Sequence, residues 1–193
     1  FCMSLAKILR DKYKAHFEYE ADVRDCATYH YDYVVLCTGV DTSAISKSFG
    51  AEKLPIYPGK GYSITITVPK DKIGYLPQVS ILDDEAKIVT STLGNRLRVA
   101  GTAEFAGHNR DIRRERIEPL LKWVHNNFPG IPTSDYSSWA CLRPMTPDMM
   151  PIVRQSKKNK KIFFNTGHGH LGWTIAPATA DRITQLISKA ANK

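Results

Sequence analysis

Residues 162–187, IFFNTGHGHLGWTIAPATADRITQLI, limit the folds open to this chain more than any other stretch. Ile162, Phe163 and Phe164 form a short apolar run that reads as a buried strand. Gly167, Gly169 and Gly172 follow it. Ile175, Thr179, Ala180, Ile183, Leu186 and Ile187 then recur at helical spacing and predict a helix with one apolar face. Pro177 is expected in the first turn of that helix, where its missing N–H does no harm. A strand that turns through glycines into a helix aims free N–H groups and the positive end of a dipole at one point. Such a point suits a phosphate or a developing negative charge. The stretch predicts a ligand site.

The run from Gly167 to Gly172 also matches the pattern G-x-G-x-x-G. That fingerprint opens a strand–helix–strand unit and carries an acidic residue about twenty positions further on. Within this sequence no second strand follows the helix, so the turn is expected to serve another purpose.

The remaining chain bounds the problem. Its 193 residues are 42% hydrophobic and 24% charged, an ordinary globular balance. No apolar run approaches the length of a membrane span. Cys2, Cys26, Cys37 and Cys141 show no metal-ligand spacing and are expected to be reduced and buried. The net charge of +8 comes from basic clusters at 7–14, 110–116 and 154–161, mixed with acids; the last two lack interleaved aromatic residues. Nucleic-acid binding is not expected from that pattern.

Leu5, Ile8 and Leu9 predict a short amphipathic helix, residues 17–23 a strand and residues 33–36 a fully buried one, closed at Gly39. Residues 62–68 alternate between polar and apolar, and 79–82, 87–91 and 96–100 are further short strands of an antiparallel meander. Residues 112–128 predict a helix with Ile117, Leu120, Leu121, Val124 and Phe128 on one face, ended by Pro129 and Gly130.

Three motifs carry a family resemblance: KGYSITI at 60–66, CLRPMTPDMMPIV at 141–153 and NTGHGHLGWT at 165–174. In this order they resemble the C-terminal part of the D-amino-acid oxidase-like flavoproteins, and within them the small subunit of bacterial D-amino-acid dehydrogenase. The resemblance implies an α+β / α/β chain, with an antiparallel-sheet substrate domain at 51–140 inserted in the C-terminal part of an FAD-binding domain. Residues 1–50 would be the tail of that FAD-binding domain and 141–193 its flavin-facing part. The N-terminal dinucleotide-binding unit has no counterpart here, so the chain is expected to be a C-terminal fragment, and an N-terminal half on a separate chain is one of the partners the resemblance leaves open. FAD binding by this half alone is in doubt for the same reason.

The resemblance also assigns roles. Arg143 pairs with the carboxylate of a D-amino acid, whose Cα hydride passes to the flavin and whose imino product hydrolyses to a 2-oxo acid. Guanidinium chemistry agrees, since its planar fork fixes a carboxylate in one orientation; the alternative is a structural arginine bonding loop carbonyls. Gly167, His168, Gly169 and Gly172 shape the loop against the flavin ring, Gly39 lets the backbone approach FAD, and Val23 lies beside the adenine. Without the resemblance, Gly39 reads as a simple strand-end turn. Tyr62 is either close to the isoalloxazine or a sheet-edge aromatic, and His170 either faces the substrate or caps the turn. Asp148 is expected to cap its loop. No metal and no catalytic side chain is assigned. The implied location is cytoplasmic, with peripheral contact at the inner membrane. A competing expectation is an inactive, degenerate or split fragment that acts only as a binding or complementing module. For the fold, the strands at 62–68 and 96–100 should share one antiparallel sheet, while Phe163 lies beside Val35 in another.

Overall fold

The computed structural model describes residues 1–23 and 31–192. Its helices are α1 (Cys2–Tyr13), α2 (Thr42–Ser48), α3 (Arg114–Asn127) and α4 (Gly172–Ala191). Its strands are β1 (Val34–Leu36), β2 (Tyr57–Thr67), β3 (Ile81–Asp83), β4 (Ile88–Leu93), β5 (Arg96–Glu104), β6 (Tyr136–Met145), β7 (Ile152–Gln155) and β8 (Ile162–Thr166).

Two sheets organise the chain. The larger has the order β3-β4-β5-β2-β6, and the smaller the order β1-β8-β7. All pairings in the larger sheet are antiparallel. In the smaller, β1 and β8 run parallel with Val35 opposite Phe163, and β7 returns antiparallel to β8. Both pairings expected from the sequence are therefore present, and the α+β class stands.

Period-2 alternation decides what β2 faces. Tyr62, Ile64 and Ile66 point to one side, where Ile117, Leu120 and Val124 of α3 close a core with Leu97 and Val99 of β5. Burying each such side chain contributes about 1.5–3 kcal/mol. The glycine, serine and threonine positions of β2 point to the other side, where β6 lays its longer side chains. In the smaller sheet, Leu36, Ile162 and Phe164 pack with Phe49 and Leu54. Phe163, on the opposite face, meets Tyr33 edge-on at 5.6 Å.

Three local expectations are corrected. Residues 17–23 form no strand; Glu20 takes a left-handed φ of 58°, which interrupts an extended run. Pro177 is not in the first turn of α4, because that helix already starts at Gly172. It can start there because the glycine turn closes on itself, Leu171 N–H donating to the His168 carbonyl. Cys2, Cys37 and Cys141 are free but exposed rather than buried, and Cys26 lies outside the described residues. Arg143 stands on β6, which runs unbroken from Tyr136 to Met145 with Pro144 opposite Pro58 of β2. An edge strand tolerates such a proline, since its N–H side needs no partner.

Candidate functional site

The parallel strands β1 and β8 end side by side, each in a glycine of positive φ: 57° at Gly39 and 76° at Gly167. Thr42 and Thr166 tie the two turns together. Their hydroxyls lie 2.9 Å apart, and both donate to the Gly39 carbonyl, at 2.8 and 3.3 Å. Ligands of such sheets bind beyond the carboxyl ends of parallel strands. A Cβ at Gly39 would meet nothing within 4 Å, so the turn borders open space.

The second glycine turn is laced onto β6. Gly169 N–H donates to the Pro144 carbonyl at 3.0 Å, and a Cβ on Gly167 would stand 2.7 Å from Thr146 Cγ2. His168 holds the turn from its other side. Its Nε2 lies 3.1 Å from Thr179 Oγ1, and that hydroxyl already donates to Ala176 O, so it accepts from Nε2–H. Burial pushes the His168 pKa below the ordinary histidine value, which favours this neutral, donating imidazole. Among the described residues no side-chain hydrogen bond caps the N-terminus of α4, which starts after Leu171. The N–H groups of its first turn, from Gly172 on, have no acceptor within the helix and are available to an anion.

Arg143 stands on β6 opposite Gly59, on the face of the larger sheet that α3 does not cover. Its guanidinium lies flat over the next glycine: a Cβ on Gly61 would be 2.0 Å from Nη1 and 2.4 Å from Cζ. Met145, two residues on and sharing that face, lies over Gly59 and reaches Gly169, where a Cβ would be 3.5 Å from its sulfur. Arg143 is therefore next to the glycine turn, with one thioether between them. It is half-buried, and among the described residues it makes no ion pair. A guanidinium removed from water with no carboxylate beside it is disposed to take one from a ligand.

Tyr62 belongs elsewhere. It is 1% exposed on the α3 face of β2, and its hydroxyl donates to Glu104 Oε2 at 2.5 Å. The fully buried Lys60 completes the cluster, with Nζ 3.0 Å from each of Glu104 Oε2, Asn109 Oδ1 and Asp111 O. Arg113 Nη1 reaches Glu104 Oε1 at 2.7 Å. Burial alone would lower the Lys60 pKa, but its hydrogen bonds to Glu104 and Tyr62 outweigh that and raise it. Hydrogen bonds from Tyr62 and Lys60 hold Glu104 below the usual carboxylate value. This network anchors the loop between β5 and α3, on the face of β2 opposite Arg143. Tyr62 thus stands inside the core on the face of β2 opposite Arg143, not at a sheet edge. Its parity with Ile64 and Ile66 already placed it on the core side.

The other expected residues divide. Gly39, Gly167, His168, Gly169 and Gly172 gather at one place with Arg143. His170 is exposed on the turn. Val23 is 40% exposed on an irregular segment. Asp148 does cap its loop, accepting the Met150 N–H at 3.1 Å. Gly59, Gly61 and Met145 are site-shaping residues that the sequence analysis passed over. The signal was there: two glycines two apart inside a strand pattern mark a close approach by another group.

A family model described as FAD dependent oxidoreductase matches residues 6–186. The chain belongs to that family. Among curated relatives, the D-amino acid dehydrogenase 3 of Mesorhizobium japonicum is 50% identical over 159 residues, 81% of this chain and 38% of the relative. The D-amino acid dehydrogenase of Dechloromonas aromatica is 43% identical over 136 residues, 70% of this chain and 32% of the relative. The chain thus spans about a third to two fifths of the length of these relatives. Glycine oxidase from Geobacillus kaustophilus superposes with a TM-score of 0.70 at 23% identity, over 81% of this chain and 41% of that one. Iminodiacetate oxidase from Chelativorans also gives 0.70, at 19% identity, over 83% and 43%. Likeness at this identity speaks for the fold.

The family's cofactor is FAD. The two glycine turns and the uncapped start of α4 fit the end of a flavin ring, where reduction leaves negative charge. The described residues hold no group of three or more potential metal ligands, and no helix among them is long and apolar enough to cross a membrane.

Proposed function

We propose that this chain is the substrate-binding and flavin-facing portion of an FAD-dependent dehydrogenase of D-amino acids. In this reading residues 51–140, with the continuation of β6, form the substrate domain, and the strands and glycine turns on either side belong to the FAD-binding domain. One observation carries it: a half-buried guanidinium with no carboxylate partner among the described residues, held over Gly61, beside a glycine turn suited to a flavin. The D-amino acid dehydrogenases to which the chain is similar supply the reaction class.

Arg143 binds the α-carboxylate through two parallel N–H donors and so fixes the orientation of Cα. The N–H groups at the start of α4, from Gly172 to Thr174, would stabilise negative charge on a flavin ring held there, while Gly169, its N–H spent on the Pro144 carbonyl, keeps the turn against β6. Met145 fills the space between the two and keeps water from the carboxylate pair. Bound FAD supplies the two-electron acceptor for oxidation of the Cα–N bond. The product leaves as an imino acid and hydrolyses to a 2-oxo acid and ammonia. A peripheral membrane location and an N-terminal half on another chain belong to the same proposal.

The test is a graft. Residues 17–187 replace the matching segment of the Mesorhizobium japonicum protein, and the product is assayed for flavin content and for dye reduction by D-amino acids. A yellow, active graft is the expected result. Arg143→Ala in that graft should lower kcat/KM at least a hundredfold and leave the flavin spectrum unchanged, because a buried carboxylate would lose its counter-charge. Arg143→Lys should recover only part of the loss. A yellow graft without activity would favour the module that binds but does not catalyse.

A further inference from the structure

A second guanidinium stands beside the first. Arg98 of β5 crosses the strand face toward β2, with Nη2 3.2 Å from Ser63 Oγ, and stacks over the Trp139 ring at 5.6 Å to the centroid. Arg143 lies over Gly61. Gly61 and Ser63 are two residues apart on one strand and share a face, so the two guanidinium heads lie over neighbouring positions whose spacing along the strand is about 7 Å.

Three features make this a recognition pair rather than two surface charges. Both arginines are half-buried, and neither makes an ion pair among the described residues. No strand residue directed to this face is acidic; the acids of the sheet, Asp83 and Glu104, engage Trp123 and the Lys60 cluster on the α3 side. Two partly desolvated like charges at that spacing repel, and one ligand with two negative groups relieves both at once. The surface beside them suits a short carbon chain: Trp139 pairs with Ser63, the small Cys141 pairs with Gly61, and Trp139 is 54% exposed.

We propose that Arg98 is a specificity-determining residue, and that the substrate class of this site is an amino acid with an acidic side chain. The inference rests on the assignment of Arg143 to the α-carboxylate. Arg98 then takes the side-chain carboxylate, and the intervening carbons lie along Trp139. The spacing matches the reach of aspartate or glutamate once each carboxylate is hydrogen-bonded to its own guanidinium.

The experiment titrates the full 193-residue chain with D-glutamate, D-alanine and inorganic phosphate, following arginine Nε–Hε resonances by NMR. D-Glutamate should bind at least tenfold more tightly than D-alanine and more tightly than phosphate, shifting the Arg98 and Arg143 signals together. Arg98→Gln should bring the ratio of the two amino-acid affinities close to one, and Arg98→Lys should keep part of the preference. The backbone amide spectrum checks that both variants retain the sheet. Equal affinities in the native chain, phosphate binding as tightly as D-glutamate, or an Arg98→Gln chain with its preference intact would each overturn the proposal. D-Alanine bound at Arg143 without any preference for D-glutamate defeats Arg98 alone. A native chain that binds neither amino acid defeats the Arg143 assignment as well.

Discussion

The guanidinium of Arg143 lies flat because two glycines clear the strand beneath it and its neighbour Met145. Gly61→Ala sets a clash with a flexible head group rather than with backbone, and Arg143 can lift away. Stability should therefore stay within about 0.5 kcal/mol of the native chain in urea unfolding. Carboxylate affinity should nevertheless fall at least tenfold, since the lifted fork no longer points at the ligand. A variant that loses both equally would mean that Gly61 serves packing, not the position of Arg143. His168 acts at the same scale on the other wall. Its hydrogen bond to Thr179 keeps the glycine turn against the start of α4.

Among the elements, α3 and the hairpin β7–β8 hold the two sheets in shape by different means. Leu120 is fully buried between α3 and the strands, close to Gly101, where a Cβ would be 3.1 Å from Leu120 Cδ2. Leu120→Ala should cost about 2–5 kcal/mol of unfolding free energy, because the sheet beneath cannot collapse into the cavity. The hairpin depends on Glu52, whose carboxylate receives Arg154, the Ser156 hydroxyl and the N–H groups of Lys157 and Lys158. Burial alone would raise the Glu52 pKa; the hydrogen bonds from Ser156 and Arg154 overcome it and hold the group far below the usual carboxylate range. Glu104 is depressed in the same direction. A carboxylate with a folded pKa below its unfolded one stabilises the protein above the unfolded value of about 4.5, and that contribution is lost as pH falls through the folded value. The urea midpoint should begin to fall below about pH 6.5, where protonation of His168 favours the unfolded chain, and then decline more steeply from about pH 5 toward about pH 2 as the carboxylates are lost. Glu52→Gln should cost about 2 kcal/mol at neutral pH and show a shallower acid decline.

For the molecule as a whole, the balance between binding and completeness is decisive. In the proposed reading both glycine turns, at Gly39 and at 167–172, serve the ring-facing end of a flavin site, and neither is assigned to the pyrophosphate. Each charge-assisted hydrogen bond to such a group contributes about 1.5–3 kcal/mol. The purified chain should accordingly carry no stoichiometric flavin band, whereas the graft into a D-amino acid dehydrogenase should be yellow. A yellow preparation of the chain by itself would show that the ring contacts suffice. Much of this architecture follows from local pattern. Alternation at 62–68 specifies a half-buried strand, the run at 162–164 a buried one, and helical spacing at 117–128 the covering helix, because side-chain period and backbone geometry are the same property. The glycine turns and Arg143 were legible too, as short motifs. Three things were decided only by tertiary pairing. β6 takes its strand from β2, since a segment with a proline near its end has little preference of its own. The choice of face puts Tyr62 with Lys60 and Glu104 in the core, and Arg143 over Gly61 on the open side. The approach of Arg98 to Ser63 joins positions 35 residues apart, through a register that no local pattern encodes.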